Sequence, residues 1–415
     1  MNPDADAIAD CVLEAFAQLP DKRKPRLRTD GSREWVPLSG IVLAKDGKLS
    51  CVSLGTGMKC LPHNKLPQAE GNILHDWHAE VVAIRTFNRF LLDECERISS
   101  TSSDSHSHSA FVHRRSSVEQ CDQEPQPFAI REDVRIHMYC SEAPCGDASM
   151  ELTMDAQEDA TPWTSAPPTI SSEPGSDSVG ALRGRSNFSL LGAVRCKPSR
   201  PDAPPTLSKS CTDKLALKQA TSLLSSVAST IVSPRNAYIH SLILPASQYV
   251  PNACERAFSR SGRLRGLTDE TIQDWRGGYK WQPFSVQPTQ REFSWSRRSI
   301  AAHERAVASN LSAMFTPSWQ ETLIGGVLQG RKQMDPRGAS KICRKNTWML
   351  AAQIARIASA PAVLDALTQA LYQDVKTHET LAARRRVKQD VQKHGLTGWV
   401  HNTGDSSFAL PSTFT

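Results

Sequence analysis

Two long stretches of this chain are too polar to enter a core, and any fold must be built from what lies around them. Ser99 to Pro127 opens with Ser-Ser-Thr-Ser-Ser-Asp-Ser-His-Ser-His and closes with Gln-Glu-Pro-Gln-Pro, while Asp155 to Ser178 is rich in Ser, Pro, Thr and Glu. Neither can bury enough apolar surface to offset the entropy of ordering its backbone, so both read as exposed insertions. They account for part of a composition that is only 39% hydrophobic and 6% aromatic over 415 residues. The remainder reads as one enlarged folding unit over 1–415, interrupted at 99–127 and 155–178.

The patterned segments alternate between helix and strand. Ala5 to Leu19 sets Ile8, Val12, Leu13 and Phe16 at helical spacing and is ended by Pro20. Val36 to Ala44 and Leu49 to Leu54 read as strands joined around Asp46-Gly47. Ala79 to Leu92 reads as a helix with Ala83, Phe87, Phe90 and Leu91 on one face. Val134 to Cys140 and Tyr238 to Pro245 are further strands, Thr212 to Ala228 a helix, and the chain from Ser340 onward is mostly helical in pattern. Trp275 to Trp295 holds three of the nine tryptophans without clear periodicity. The pattern is that of an α/β core followed by a largely helical region.

No window approaches eighteen consecutive apolar residues, which excludes a membrane-spanning helix. The acidic start, Met-Asn-Pro-Asp-Ala-Asp, is followed by no signal-peptide apolar run, so an intracellular protein of nucleus or cytoplasm is expected. Eleven scattered cysteines, an odd number, fit buried thiols in a reducing compartment, with a few left for a metal. A net charge of +6 is a mild pointer to a polyanionic partner. The basic run Lys22 to Arg28 fits a nuclear localisation signal, an RNA-backbone contact or a solvated linker, the last being the default.

Chemistry begins at Asp76-Trp77-His78-Ala79-Glu80. At the mouth of a helix, this spacing lets the histidine hold a metal while the carboxylate two residues on moves protons. A lone histidine is more often a surface or packed residue. Ser141-Glu142-Ala143-Pro144-Cys145-Gly146-Asp147 adds a thiol at a strand-to-helix turn, where unsatisfied backbone N–H groups favour thiolate. Zinc deaminases combine H-x-E with P-C-x-x-C, but here Ala148 occupies the second cysteine position. A third ligand must come from elsewhere. Cys140, Cys196 and Cys211 are the candidates. Cys211 stands just ahead of an apolar helix, in the same setting as the other two, and is favoured.

With His-Ala-Glu, Pro-Cys-Gly-Asp and Ser-Cys-Thr-Asp-Lys in this order, the sequence resembles the editase-type adenosine deaminase domain. That domain is shared by the tRNA-specific adenosine deaminase 1 family and the adenosine deaminases acting on RNA. Gly55-Thr56-Gly57-Met58-Lys59-Cys60 adds a fourth match, and the resemblance runs from about Ala5 to Phe408 outside the insertions. It implies a three-layer α/β/α cytidine-deaminase-like fold with a mixed sheet, extended by a largely helical C-terminal region. It further implies hydrolytic deamination of adenosine to inosine in RNA. Zinc would be held by His78, Cys145 and Cys211 and would lower the pKa of a bound water, and Glu80 would relay protons to the ring and to departing ammonia.

Relatives in this family also bury inositol hexakisphosphate, and by position Lys59, Arg85, Lys214, Arg344, Lys376, Arg384 and Trp399 look like its ligands. Cationic side chains buried without such a polyanion would repel one another. The alternative for Arg384-Arg385-Arg386 and Lys388 is a solvated helix face. On a helix Arg384 and Lys388 share a face while Arg385 and Arg386 point elsewhere. Ile84, Leu217 and Lys218 depart from the residues of relatives, as does Met58, which stands where RNA-editing relatives often have a threonine.

The RNA-editing branch carries double-stranded-RNA-binding domains ahead of its deaminase, for which the early position of Lys59 leaves no room. The leading expectation is therefore a tRNA substrate, the adenosine immediately 3′ of the anticodon of alanine tRNA, read as an unpaired loop. A double-stranded-RNA editor is the second reading, and a catalytically silent zinc-bearing RNA-binding protein the third. No obligate protein partner is expected.

Overall fold

The computed structural model describes residues 3–100, 108–156, 181–184, 187–198 and 203–411, together with the backbone of 169–170. Its centre is an eight-stranded mixed sheet. In chain order the strands are β1 (Leu38–Lys45), β2 (Lys48–Thr56), β3 (Arg135–Cys140), β4 (Ile239–Pro245), β5 (Ser285–Thr289), β6 (Ser312–Thr316), β7 (Trp319–Ile324) and β8 (Val327–Leu328). They lie in the order β5-β4-β3-β1-β2-β6-β7-β8. β3, β4 and β5 run parallel, and the remaining pairings are antiparallel. The β1–β2 hairpin turns at Asp46 and Gly47, both at positive φ (49° and 73°), which two-residue hairpin turns require.

Alternation along β1 divides the core between the two faces of the sheet. Val42 joins Leu54, Tyr139 and Ile243 beneath Ile8, Val12 and Phe16 of helix α1 (Ala5–Ala17). Ile41 and Leu43 point the other way, towards Val82, Phe87 and Leu91 of α2 (Ala79–Ser100). Gly40 lets α1 lie close, because a Cβ there would overlap the Val12 methyls. The far face is thickened by α3 (Cys211–Thr221), α4 (Arg344–Ile357) and α5 (Ala382–His394). This is the three-layer α/β/α arrangement with a mostly helical C-terminal part. Among the described residues no helix is long and apolar enough to cross a membrane.

Two local expectations are corrected. The helix beginning near Thr212 does not reach Ala228: it stops at Thr221, Ser222 takes φ 58°, and the chain turns before a short helix at Ala228–Ile231. Asn88 of α2 fixes that turn, donating to the Leu223 carbonyl at 3.0 Å and accepting from Ser225 N–H at 2.6 Å. Of residues 108–127, read as exposed, the two flanks pack on the core while Ser116–Gln123 stays on the surface, with Val118 93% exposed. Val112–Arg114 pairs with Phe128–Ile130, and buried Arg115 donates to the carbonyls of Glu124 and Gln126 at 2.9 Å each. Residues 101–107 and most of 155–178 lie outside the described residues.

Candidate active site

The strand directions decide where chemistry collects. β2 and β3 both end on one edge of the sheet, and α2 and α3 both begin there. His78 is the last residue before α2, Glu80 lies in its first turn, Cys145 follows β3 and Cys211 opens α3. Cys145 precedes a 3-10 turn, Asp147–Ser149, that runs on into a short regular helix, Met150–Asp155.

Close backbone approach joins the two thiols. Gly146 has φ 109°, and a Cβ on it would collide with Ser210 Oγ. Thr212 ties the segments together, its N–H donating to the Cys145 carbonyl at 3.1 Å and its hydroxyl to the Pro144 carbonyl at 2.8 Å. The Cys211 N–H points at Cys145 Sγ, 3.4 Å away. Hydrogen bonding between the sulfurs holds the Cys145 thiol well below its usual range, while burial pushes Cys211 up. The pair therefore loses one proton readily and resists losing a second. Lys197 Nζ, 3.1 Å from Cys211 Sγ, supplies a counter-charge.

Asp76 organises the imidazole. Its Oδ1 accepts from the His78 backbone N–H at 3.0 Å and faces His78 Nδ1 at 2.9 Å. With Nδ1–H held by Asp76, Nε2 is the nitrogen left to face a metal, which would displace the proton that the charged ring carries there. Burial and Lys197 oppose a charge on this ring, but Asp76 outweighs them and raises its pKa to about 10. The other carboxylate oxygen accepts from Lys197 at 2.8 Å, from Ser208 Oγ at 2.6 Å and from Lys214. Glu80 is buried, and burial followed by the nearby Cys145 raises its carboxyl pKa.

Among the described residues, the donor atoms that lie within 4.8 Å of one another as a group of three are those of Cys60, Asp76 and His78, with Cys60 Sγ 3.6 Å from His78 Nδ1; His78, Cys145 and Cys211 do not meet that spacing as a set. Both oxygens of Asp76 are already engaged, by two ammonium groups among others, so a cation there would have to displace them. An imidazole nitrogen and two thiols, the donor types of His78, Cys145 and Cys211, are the softer set, of the kind a thiolate-preferring ion such as zinc takes.

A cavity of about 380 Å³ adjoins this centre, sharing Asp76, Ser208 and Lys214 with it. Six of the seven residues expected to hold a polyanion line it: Arg85, Lys214, Arg344, Lys376, Arg384 and Trp399. The seventh does not: Lys59 is exposed on the sheet's active edge, its ammonium bonded to Asn310 Oδ1. Lys209, Lys218 and Lys388 complete eight lysine and arginine side chains in the wall, against one carboxylate, Asp76. Arg384 and Lys388 do share this face, while Arg385 turns away to the carbonyls of Lys376 and His378 and Arg386 to Asp390. Burial and mutual repulsion lower Lys209 and Lys388 to about 8 and depress Lys218 and Lys376. A wall so charged fits a multiply charged anion.

Residues 53–403 match the adenosine-deaminase (editase) domain family. The chain is 35% identical over 406 residues to tRNA-specific adenosine deaminase 1 of Schizosaccharomyces pombe, covering 96% of this chain and 95% of that protein. It is 34% identical over 231 residues to its Saccharomyces cerevisiae namesake, covering 53% of each. The double-stranded RNA-specific editase Adar of Drosophila melanogaster is 27% identical over 253 residues, 58% of this chain and 33% of that protein. The chain belongs to the adenosine-deaminase (editase) domain family.

Proposed function

We propose that this adenosine deaminase converts adenosine to inosine in tRNA, at the position immediately 3′ of the anticodon of alanine tRNA, inside the cell. The observation that carries the chemistry is a buried carboxylate, Glu80, two residues from His78 and beside the Cys145–Cys211 pair. The substrate class is supported by the relative that spans nearly the whole chain.

A zinc ion held by His78, Cys145 and Cys211 would supply an acidified water at the edge of the sheet. Glu80 would accept a proton from the attacking water and pass it to the ring nitrogen beside the amine-bearing carbon; it would then carry the remaining hydroxyl proton to the amine, which would leave as ammonia and give inosine. The raised pKa of Glu80 suits a group that must both accept and donate. Because the pocket must enclose the base, the adenosine is taken unstacked from a loop. Asp76 and Lys197 position His78 and Cys211 and touch no substrate.

The adjoining cavity is proposed to hold inositol hexakisphosphate through Arg85, Lys214, Arg344, Lys376, Arg384 and Trp399, as a constituent of the fold. Phosphate released on denaturing the purified protein tests this, and protein free of inositol phosphate would remove it. Mapping inosine in alanine tRNA and in a long RNA duplex, each incubated with wild-type and Glu80→Gln protein, tests the reaction. Inosine confined to the duplex would overturn the tRNA reading.

A further inference from the structure

We infer that the β1-to-β8 half of the sheet's active edge, with the Lys22–Arg28 arm as its outer wall, is the surface on which the RNA backbone docks. This deepens the proposed function and rests on its RNA substrate. The starts of β1, β6 and β8 and the ends of β2 and β7 all lie on the edge where His78 and Cys145 sit. Segments 21–35, 57–65, 295–312 and 325–334 therefore border the site, and together they carry thirteen lysines and arginines against four aspartates and glutamates. Their net +9 exceeds the +6 of the whole chain, so the rest of the protein, cavity cations included, sums to −3. Along the same edge the loop after β3 adds no such excess: Glu142 is paired with Arg298, and buried Asp147 with Arg256. The positive field is one-sided, which gives a polyanion a direction of approach.

The arm is not a loose linker. Glu34 N–H donates to the Arg26 carbonyl at 2.9 Å, Arg28 N–H to the Ser32 carbonyl at 2.8 Å, and Arg23 reaches Thr322 of β7 at 2.8 Å. Arg33–Trp35 then pairs in parallel with Ala306–Ala308 beside Asn310, the partner of Lys59. Arg28, Arg33 and Arg298 are paired with Glu34, Glu304 and Glu142. Lys22, Arg26, Arg297 and Arg305 are exposed and, among the described residues, their side chains make no ion pair within 4 Å. A built ribbon presenting uncompensated cations beside the site matches a phosphate backbone entering it.

The test uses the full chain and an alanine tRNA transcript. Binding is measured against salt concentration for wild type, for a Lys22→Ala/Arg26→Ala/Arg297→Ala/Arg305→Ala variant, and for a Lys48→Ala/Arg135→Ala/Arg265→Ala/Lys393→Ala control of equal charge. Each lost phosphate contact should flatten the slope of log affinity against log salt by about 0.7–0.9, so the first variant should lose roughly 3 in slope and the control none. Inosine formation should fall at least about tenfold in kcat/KM and much less at saturating tRNA. A variant that melts like wild type and keeps its slope overturns the docking surface. So does one that loses only nuclear accumulation, which would make the arm an address signal. If wild type forms inosine while the slopes agree, docking fails and the reaction stands. If wild type forms none yet the variant loses slope, the reaction fails and docking stands.

Discussion

The centre around His78 and the cavity beside it are both buried and polar, yet they are satisfied in opposite ways. At the centre Asp76 and Lys197 have their partners from the chain: Asp76 meets Lys197, Lys214 and Ser208, and Lys197 meets Cys211. In the cavity wall eight cations face one carboxylate, Asp76, which is already engaged, and just behind the wall Asp405 pairs with Arg344 alone among them, at 3.2 Å. A self-paired network holds its geometry with what the chain provides, whereas a one-signed wall must take its counter-charge from outside or lower its own pKa values. The two regions share Asp76, Ser208 and Lys214, so the comparison can be broken at those residues.

The largest effect is expected where the centre alone is touched. Glu80→Gln keeps the shape and removes the proton shuttle, so inosine formation should fall by at least about 10²–10⁴-fold. Metal content by elemental analysis and releasable inositol phosphate should both stay at wild-type levels. Substantial residual activity would take the proton-transfer role from Glu80. Next comes the shared residue. Asp76→Asn leaves His78 without its anionic partner and two lysines without their acceptor, and should weaken metal retention roughly 10- to 100-fold on dialysis. Polyanion content should hold, because all eight cations remain. Loss of both would mean that the two regions form one unit.

A smaller, pH-dependent effect belongs to the cavity. Lys209 and Lys388 are lowered from their ordinary value of 10.5 to about 8, by burial first and by neighbouring cations next. Between those limits the unfolded chain holds more protons than the folded one, so the stability of polyanion-free protein rises as pH climbs from about 8 to 10.5. Below pH 8 the penalty is fully present. A bound polyanion restores the lysine pKa values and removes this dependence. Calorimetry on stripped and reloaded protein should therefore show a Tm gap that is widest at and below pH 8 and narrows above it. A gap independent of pH would show that the lysines are not the responsive groups.

The same contrast explains what could be read from the sequence. His78, Glu80, Cys145 and Cys211 each sit at an element boundary, where motif and local structure agree, and the structure brings them to one edge. Lys197 and Lys209 gave no such signal. Each stands in a stretch that passes for ordinary basic surface, and only the tertiary fold shows that Lys197 and Lys209 are buried. Asp76 was visible as a neighbour of the motif but not as its organiser, because its partners come from residues more than a hundred positions away. The hairpin at Asp46-Gly47 was legible from turn chemistry. The packing of the flanks of 108–127 was not, because Arg115 is buried by two main-chain carbonyls, which leave no trace in composition.

The smallest effect is the sharpest test of where the cavity ends. Lys59 holds the position that suggested a polyanion ligand, yet its side chain emerges at the sheet's active edge beside Asn310, outside the cavity wall. Arg384 lines that wall and also donates to the Thr221 and Leu224 carbonyls at 2.6 and 2.7 Å, so it is fixed there from both ends. If the division drawn from the structure holds, Lys59→Ala should retain wild-type inositol phosphate and flatten the salt dependence of tRNA binding by about one contact, roughly 0.7–0.9 in slope. Arg384→Ala should do the reverse, lowering polyanion content and Tm while leaving that slope alone. The two substitutions each remove one positive charge, one from the exposed edge of the sheet and one from the cavity wall. An equal loss of inositol phosphate from both would erase the boundary, and Lys59 would belong to the cavity after all.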